Sequence, residues 1–218
     1  MYETIILDFD GVILESVSVK TDAFRELFSQ IPLHVEEIVR FHEKNGGMSR
    51  FDKFRYIYKN LLKQPLTDTE MQSLSQKFSK LVIEKVISAP YVPGAEEFLH
   101  KYSKKLSLYV VSATPQQELE YIMEKKGIQG YFKDVFGSPE PKTDHIRTIL
   151  SKDTVNANSV VFVGDSLNDW KTAQETGIRF IARLTPESKD NFYGRPGIEY
   201  AITDLYGLIE YLAGSDYS

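Results

Sequence analysis

The sequence predicts an α/β protein: a parallel sheet with helices on both faces, interrupted by an inserted all-helical unit. Three observations predict it. Short continuous apolar runs recur along the chain, as strands buried on both faces require. Between them, apolar residues fall at i, i+3, i+4 and i+7, the spacing of an amphipathic helix. One long stretch, residues 16–89, carries helical stripes but no convincing strand.

In chain order, residues 4–9 (TIILDF) form the first strand. Three stripes follow: Phe24, Leu27, Phe28 and Ile31; Phe54, Ile57, Tyr58 and Leu61; Leu74, Phe78, Leu81 and Val82. Asn45-Gly46-Gly47 and Gln64-Pro65 punctuate them, and Pro93-Gly94 restarts the alternation. Ala95, Phe98, Leu99 and Tyr102 make the next helix, and residues 106–111 (LSLYVV) the second strand. Thr114 suits an N-cap, Pro115 a first helical position and Gly127 a C-terminal stop. Residues 134–136 are a weaker strand; 159–163 (SVVFV) and 179–182 (RFIA) are stronger ones. Leu205, Leu208, Ile209 and Leu212 make the last helix, and residues 214–218 are expected to fray. The result is a Rossmann-like core, residues 1–15 and 90–218, enclosing a helical unit, 16–89.

Composition narrows the function. The chain has 218 residues, 42% hydrophobic and 26% charged, enough to bury a sizeable core. Its net charge is -5 and no long basic block occurs, so no nucleic-acid partner is expected. There is no cysteine, which excludes disulfides, thiolate nucleophiles and zinc–thiolate sites. The N-terminus lacks the features of a signal peptide, and no apolar run approaches the roughly 20 residues that span a bilayer. A cytoplasmic protein without a membrane partner, monomeric or weakly dimeric, is expected.

Asp8 and Asp10 close the first strand, and ligands of open α/β sheets bind at the carboxyl ends of strands. Period 2 puts both carboxylates on one side, and Gly11 lets the chain turn beside them. Taken alone, the pair fits a solvated turn equally well. A second strand, however, also ends in glycine and carboxylates: Gly164, then Asp165 and Asp169. Asp165 by itself would suit a helix N-cap. Four carboxylates at one sheet edge call for a cation, and an oxygen-only set without cysteine or nearby histidine favours Mg²⁺.

DFDGVILES, the strand-borne Ser112, the isolated Lys142 and GDSLND resemble, in order and spacing, the four motifs of the haloacid dehalogenase superfamily. The helical unit is similar to that family's C1-type cap, and the nearest branch is the phosphoglycolate phosphatase and β-phosphoglucomutase group. Glu15 departs from that branch, which commonly has Asp there; the change is expected to touch the hinge rather than the chemistry.

The resemblance implies a phosphatase acting on a small phosphorylated metabolite. Asp8 would be the nucleophile, forming an aspartyl-phosphate, and Asp10 the general acid and then base. Asp8, Asp165 and the Asp10 carbonyl would hold Mg²⁺, with Asp169 supporting. Ser112 and Ala113 would bind the phosphate and Lys142 would clamp it. Capping is the plainer role for Ser112, and solvation that for a loop lysine. Gly46-Gly47 leading to Ser49-Arg50 resembles a cap specificity loop, which makes Arg50 the substrate candidate; a solvated basic helix face, with Lys53, Arg55 and Lys59, explains it as well. His34, His42, His100 and His145 show no ligand spacing and are expected to be structural or superficial. A sugar phosphomutase would use the same aspartates, and a non-catalytic binding protein would not need them all. A dinucleotide-binding oxidoreductase lacks its G-x-G-x-x-G here.

Overall fold

The computed structural model describes residues 2–152, 155–186 and 188–215. Six strands form one parallel sheet in the order β3-β2-β1-β4-β5-β6. They are β1 (Thr4–Leu7), β2 (Ser107–Pro115), β3 (Asp134–Ser138), β4 (Val160–Gly164), β5 (Arg179–Arg183) and β6 (Ile198–Ile202).

Side chains alternate between two apolar layers, as the pleat demands. Ile5, Leu7, Val110, Val161 and Val163 point into one layer, and Ile6, Tyr109, Val111, Phe162 and Phe180 into the other. Burial on both faces is why these strands read as unbroken apolar runs.

Between β1 and β2 lie α1 (Val17–Leu27), α2 (Val35–Lys44), α3 (Arg50–Tyr56), a π-helical turn at Ile57–Leu62, α4 (Asp68–Ser88) and α5 (Ala95–Tyr102). No strand interrupts residues 17–88. Their stripes converge: Phe24, Phe28, Phe54 and Phe78 are all buried and meet in stacked, tilted and edge-on pairs, centroids 4.9–6.3 Å apart. The rest of the chain supplies α6 (Gln116–Lys126), α7 (Lys142–Lys152), α8 (Leu167–Thr176), the short α9 (Lys189–Phe192) and α10 (Leu205–Ser215).

Three expectations need correction. Pro115, not Thr114, is the N-cap of α6, and β2 continues through Pro115 because its end pairs with Ser138 of β3. Gln116 fastens that extension, donating to the Val135 carbonyl (2.8 Å) and accepting from the Gly137 N–H (2.5 Å). Lys142 opens α7 instead of lying in a loop. The edge strand β6 escaped the apolar search because Glu199, Tyr200 and Ala201 are exposed. The Gly127 stop is present, with φ 69° at the C-cap of α6. Of the end expected to fray, α10 includes 214–215, and 216–218 lie outside the described residues.

Candidate active site

Register builds the site. Leu7 lies opposite Val110 on one side and Val163 on the other, so Asp8 emerges where β2 and β4 flank the central strand. Its N–H donates to the Val163 carbonyl at 2.9 Å, and its Oδ1 accepts the Phe9 N–H at 2.7 Å. The neighbouring parallel strand β4 delivers Asp165 to the same edge, and Asp169 follows in the first turn of α8.

Lys142 joins the two acidic motifs. Its Nζ lies 3.0 Å from Asp8 Oδ1 and 2.7 Å from Asp169 Oδ1, and all three side chains are buried. Burial pushes the Asp8 carboxyl up to about 7, against Lys142 and with the help of Asp169 and Asp10. Burial alone would lower the Lys142 pKa, but Asp169 and Asp8 outweigh it and raise it. The second oxygen of Asp169 accepts from Ser166 Oγ (2.5 Å) and the Ser166 N–H (3.2 Å), closing a capping box on α8. Ser166 is thus the N-cap, and Asp165 is free of that duty.

Oxygens of Asp8, Asp165 and Asp169 lie within 4.8 Å of one another. Burial, then Asp8 and Asp169, hold the Asp165 carboxyl well above its ordinary pKa. Three carboxylates so placed, with the lysine engaging only two, fit a hard divalent cation. Asp10 contributes no side-chain oxygen to this cluster; its carboxylate turns elsewhere. Gly11, at φ 76°, makes the approach possible, since a Cβ there would overlap the Asp165 carboxylate.

The Asp10 carboxylate accepts from Ser16 Oγ (2.6 Å), Thr114 Oγ1 (3.1 Å) and Lys20 Nζ, and Lys20 also reaches Thr114 Oγ1 at 2.7 Å. Burial opposes its ionisation, but Lys20 and these hydrogen bonds win and hold the carboxyl below its usual range. No sequence motif points to Lys20. Its one signal is position, a helical turn beyond Ser16 on the strand-to-helix connection that carries Asp10.

The β2 extension places Ala113 and Thr114 on the wall of a cavity of about 80 Å³ that also exposes Asp8, Asp10, Lys20 and Asp165. Ser112 stays buried beneath, its Oγ accepting the Thr114 N–H at 3.1 Å. The opposite wall comes from the helical stretch: Phe24, His42, Met48, Arg50, Lys53 and Phe78. Its loop packs on the fourth motif, where Gly47, at φ 73°, leaves no room for a Cβ against Ser166 and accepts from Asn168 Nδ2 at 2.9 Å.

Arg50 lines the cavity without a free guanidinium. Glu118 of α6 takes Nη2 at 2.6 Å and Nη1 at 3.1 Å, and Ser79 takes Nη1 at 2.8 Å. Arg50 and Lys53 are buried, whereas Arg55 and Lys59 are exposed, so only the latter two form a solvated face. His42 is a cavity wall residue and not superficial. Glu15 pairs with Arg183 of β5 at 2.5 Å, and Arg183 Nε donates to the Thr203 carbonyl at 3.0 Å.

A parallel sheet with paired carboxylates and a lysine at its carboxyl edge, under a helical insertion after the first strand, defines a hydrolase class. The chain belongs to the haloacid dehalogenase-like hydrolase family, whose description matches residues 5–183. It is 27% identical over 183 residues to a phosphoglycolate phosphatase of Vibrio parahaemolyticus, covering 79% of each. It is 23% identical over 208 residues to HAD-hydrolase YfnB of Bacillus subtilis, covering 87% of each. In structure, it superposes on a hydrolase from Pseudomonas syringae with a TM-score of 0.77 at 17% identity, covering 97% and 98% of the two chains. On magnesium-bound YfnB the TM-score is 0.68 at 21% identity, covering 97% and 99%. Those superpositions show the shared fold. No helix among the described residues is long and apolar enough to cross a membrane.

Proposed function

We propose that the chain is a Mg²⁺-dependent phosphatase that hydrolyses a small phosphorylated metabolite through an aspartyl-phosphate on Asp8. The observation that carries this reading is the pair of neighbouring carboxylates in unlike settings. Asp8 sits on Lys142 in the buried acidic cluster, and Asp10 sits two residues on among hydroxyls and Lys20. Both carboxylates face the same cavity with unlike partners, which suits them to different duties. The phosphatase name of the Vibrio relative agrees with it.

Asp8 Oδ attacks phosphorus as the bond to the leaving oxygen breaks, and Asp10 gives that oxygen a proton. Water then attacks the aspartyl-phosphate; Asp10 takes its proton, and the phosphorus–Asp8 bond breaks to free inorganic phosphate. Lys142 keeps Asp8 oriented and offsets charge on the transferring group, with Asp169 holding Lys142 in place. Asp8, Asp165 and the Asp10 carbonyl would hold Mg²⁺, which when bound neutralises charge on the phosphoryl oxygens. Ala113 lines the phosphate side, with Ser112 beneath it holding the Thr114 N–H and Thr114 steadying Asp10. Residues 16–89 act as a cap that excludes water. Asp8→Asn should abolish Mg²⁺-dependent phosphate release from an aryl phosphate, and retained turnover would rule out the covalent route.

A further inference from the structure

Lys53 is a buried cation of the cavity wall that no carboxylate of the described residues meets. Lys142 has Asp8 and Asp169, Lys20 has Asp10, and Arg50 has Glu118. Lys53, 3% exposed, instead donates to His42 Nδ1 at 3.0 Å and to the His42 carbonyl at 3.2 Å, with the Phe24 ring 5.6 Å away. Both acceptors are neutral. An ammonium has three donors, so one remains beyond those two. Accepting at Nδ1 also fixes the His42 proton on Nε2.

Such a charge is costly to bury unless a counter-ion joins it. The strain is visible in both partners: burial, then Lys20, push Lys53 down to about 7, and burial, then Lys53, push His42 down to about 2. Phe24 and Phe78 make the surroundings apolar, which strengthens any ion pair formed there. Asp8 and Asp10 line the same cavity from the sheet edge.

We propose that Lys53, held by His42, seats a singly charged anionic group on the leaving-group side of the substrate, a carboxylate on a phosphate ester. This inference rests on the phosphatase reading and adds the substrate's second charge. One ammonium beside a neutral imidazole matches one negative charge. A second phosphate would call for a further cation, and Glu118 has already taken Arg50.

Two phosphonates of equal length, one ending in carboxylate and one in hydroxyl, test this by calorimetric titration into the Mg²⁺-loaded chain. A charge-assisted pair in an apolar setting should favour the carboxylate by about tenfold or more in Kd. Lys53→Met should shrink that gap to about twofold, since the buried charge that discriminated is gone. Equal binding of the two by the unaltered chain overturns the proposal without recourse to any variant. A gap that survives Lys53→Met in a variant with a cooperative melt overturns it too. Aryl phosphate hydrolysis reads the underlying assignment separately. No phosphate release, together with a Lys53-dependent carboxylate preference, would refute the phosphatase reading and uphold the Lys53 site.

Discussion

Arg50 and Glu118 form a buried two-pronged ion pair, 2.6 Å at its shorter contact, that fastens α3 of the helical stretch to α6 of the sheet core. Ser79 of α4 donates to the same carboxylate at 2.7 Å, and the guanidinium lies 4.5 Å from the Phe78 centroid. Removing one partner strands the other as an unpaired buried charge. Glu118→Ala should therefore lower stability by about 3–5 kcal/mol, whereas Arg50→Met with Glu118→Leu should cost much less. Urea unfolding of the two variants checks the order; equal losses would show that the charge pairing contributes nothing specific.

Lys20 decides when Asp10 can carry a proton. Its ammonium, with Ser16 and Thr114, keeps the Asp10 carboxyl below its ordinary pKa against the effect of burial. Lys20→Met removes that cation, so the Asp10 pKa rises and the acid form persists to higher pH. The alkaline limb of the kcat profile should then move upward for alkyl phosphates, whose poor leaving groups need the proton most. Profiles of the two chains that overlay would separate Lys20 from the acid–base step.

The charge on Lys53 also predicts a pH-dependent stability. Its folded pKa is about 7, below the ordinary lysine value of 10.5. Below pH 7 both folded and unfolded chains hold the proton, and the full cost of burying it is present. Between 7 and 10.5 the unfolded chain holds a proton that the folded one lacks, so stability rises with pH. Lys53→Met should thus be the more stable chain below pH 7 in EDTA, with its advantage shrinking toward pH 10.5. Denaturant melts from pH 7 to 10.5 measure the difference, in a range where His42, which Lys53 also influences, is largely neutral whether folded or unfolded.

Asp165 is the carboxylate of the cluster that Lys142 does not engage. Burial and its acidic neighbours disfavour its charged form. Asp165→Asn should raise Tm in EDTA, because like-charge repulsion is relieved, and should abolish most of the Tm increase that Mg²⁺ confers on the unaltered chain. Thermal melts with and without Mg²⁺ test both halves. A variant that keeps the full Mg²⁺ shift would take Asp165 out of the metal site.

The legible part of the site lay where chemistry and local pattern coincide. Asp8, Asp10 and Asp165 follow apolar strands that are buried on both faces, so strand position sends them to one edge, and Asp169 follows in the first turn of α8. Lys142 was found by order of motifs, and its place in the fold explains why order was needed: nothing around it in sequence announces a buried lysine between two aspartates. Strand β6 was illegible because an exposed edge strand needs no apolar run. The continuation of β2 past Ser112 was illegible because Thr-Pro reads as a helix start until β3 pairs with it.

By itself, the sequence determined the alternation of strands and helices, the all-helical span after β1 and the acidic ends of β1 and β4. Those properties are local, set by the period of apolar residues and by where a buried run stops. Tertiary structure decided how the charges are shared. It gave Arg50 to Glu118, Lys20 to Asp10 and Lys142 to Asp8 and Asp169, and among the described residues it left Lys53 to His42. These pairings join residues far apart along the chain, Lys142 and Asp8 most of all. Which cation meets which carboxylate depends on how α1, α3 and α6 pack over the sheet, and no spacing along the chain encodes that.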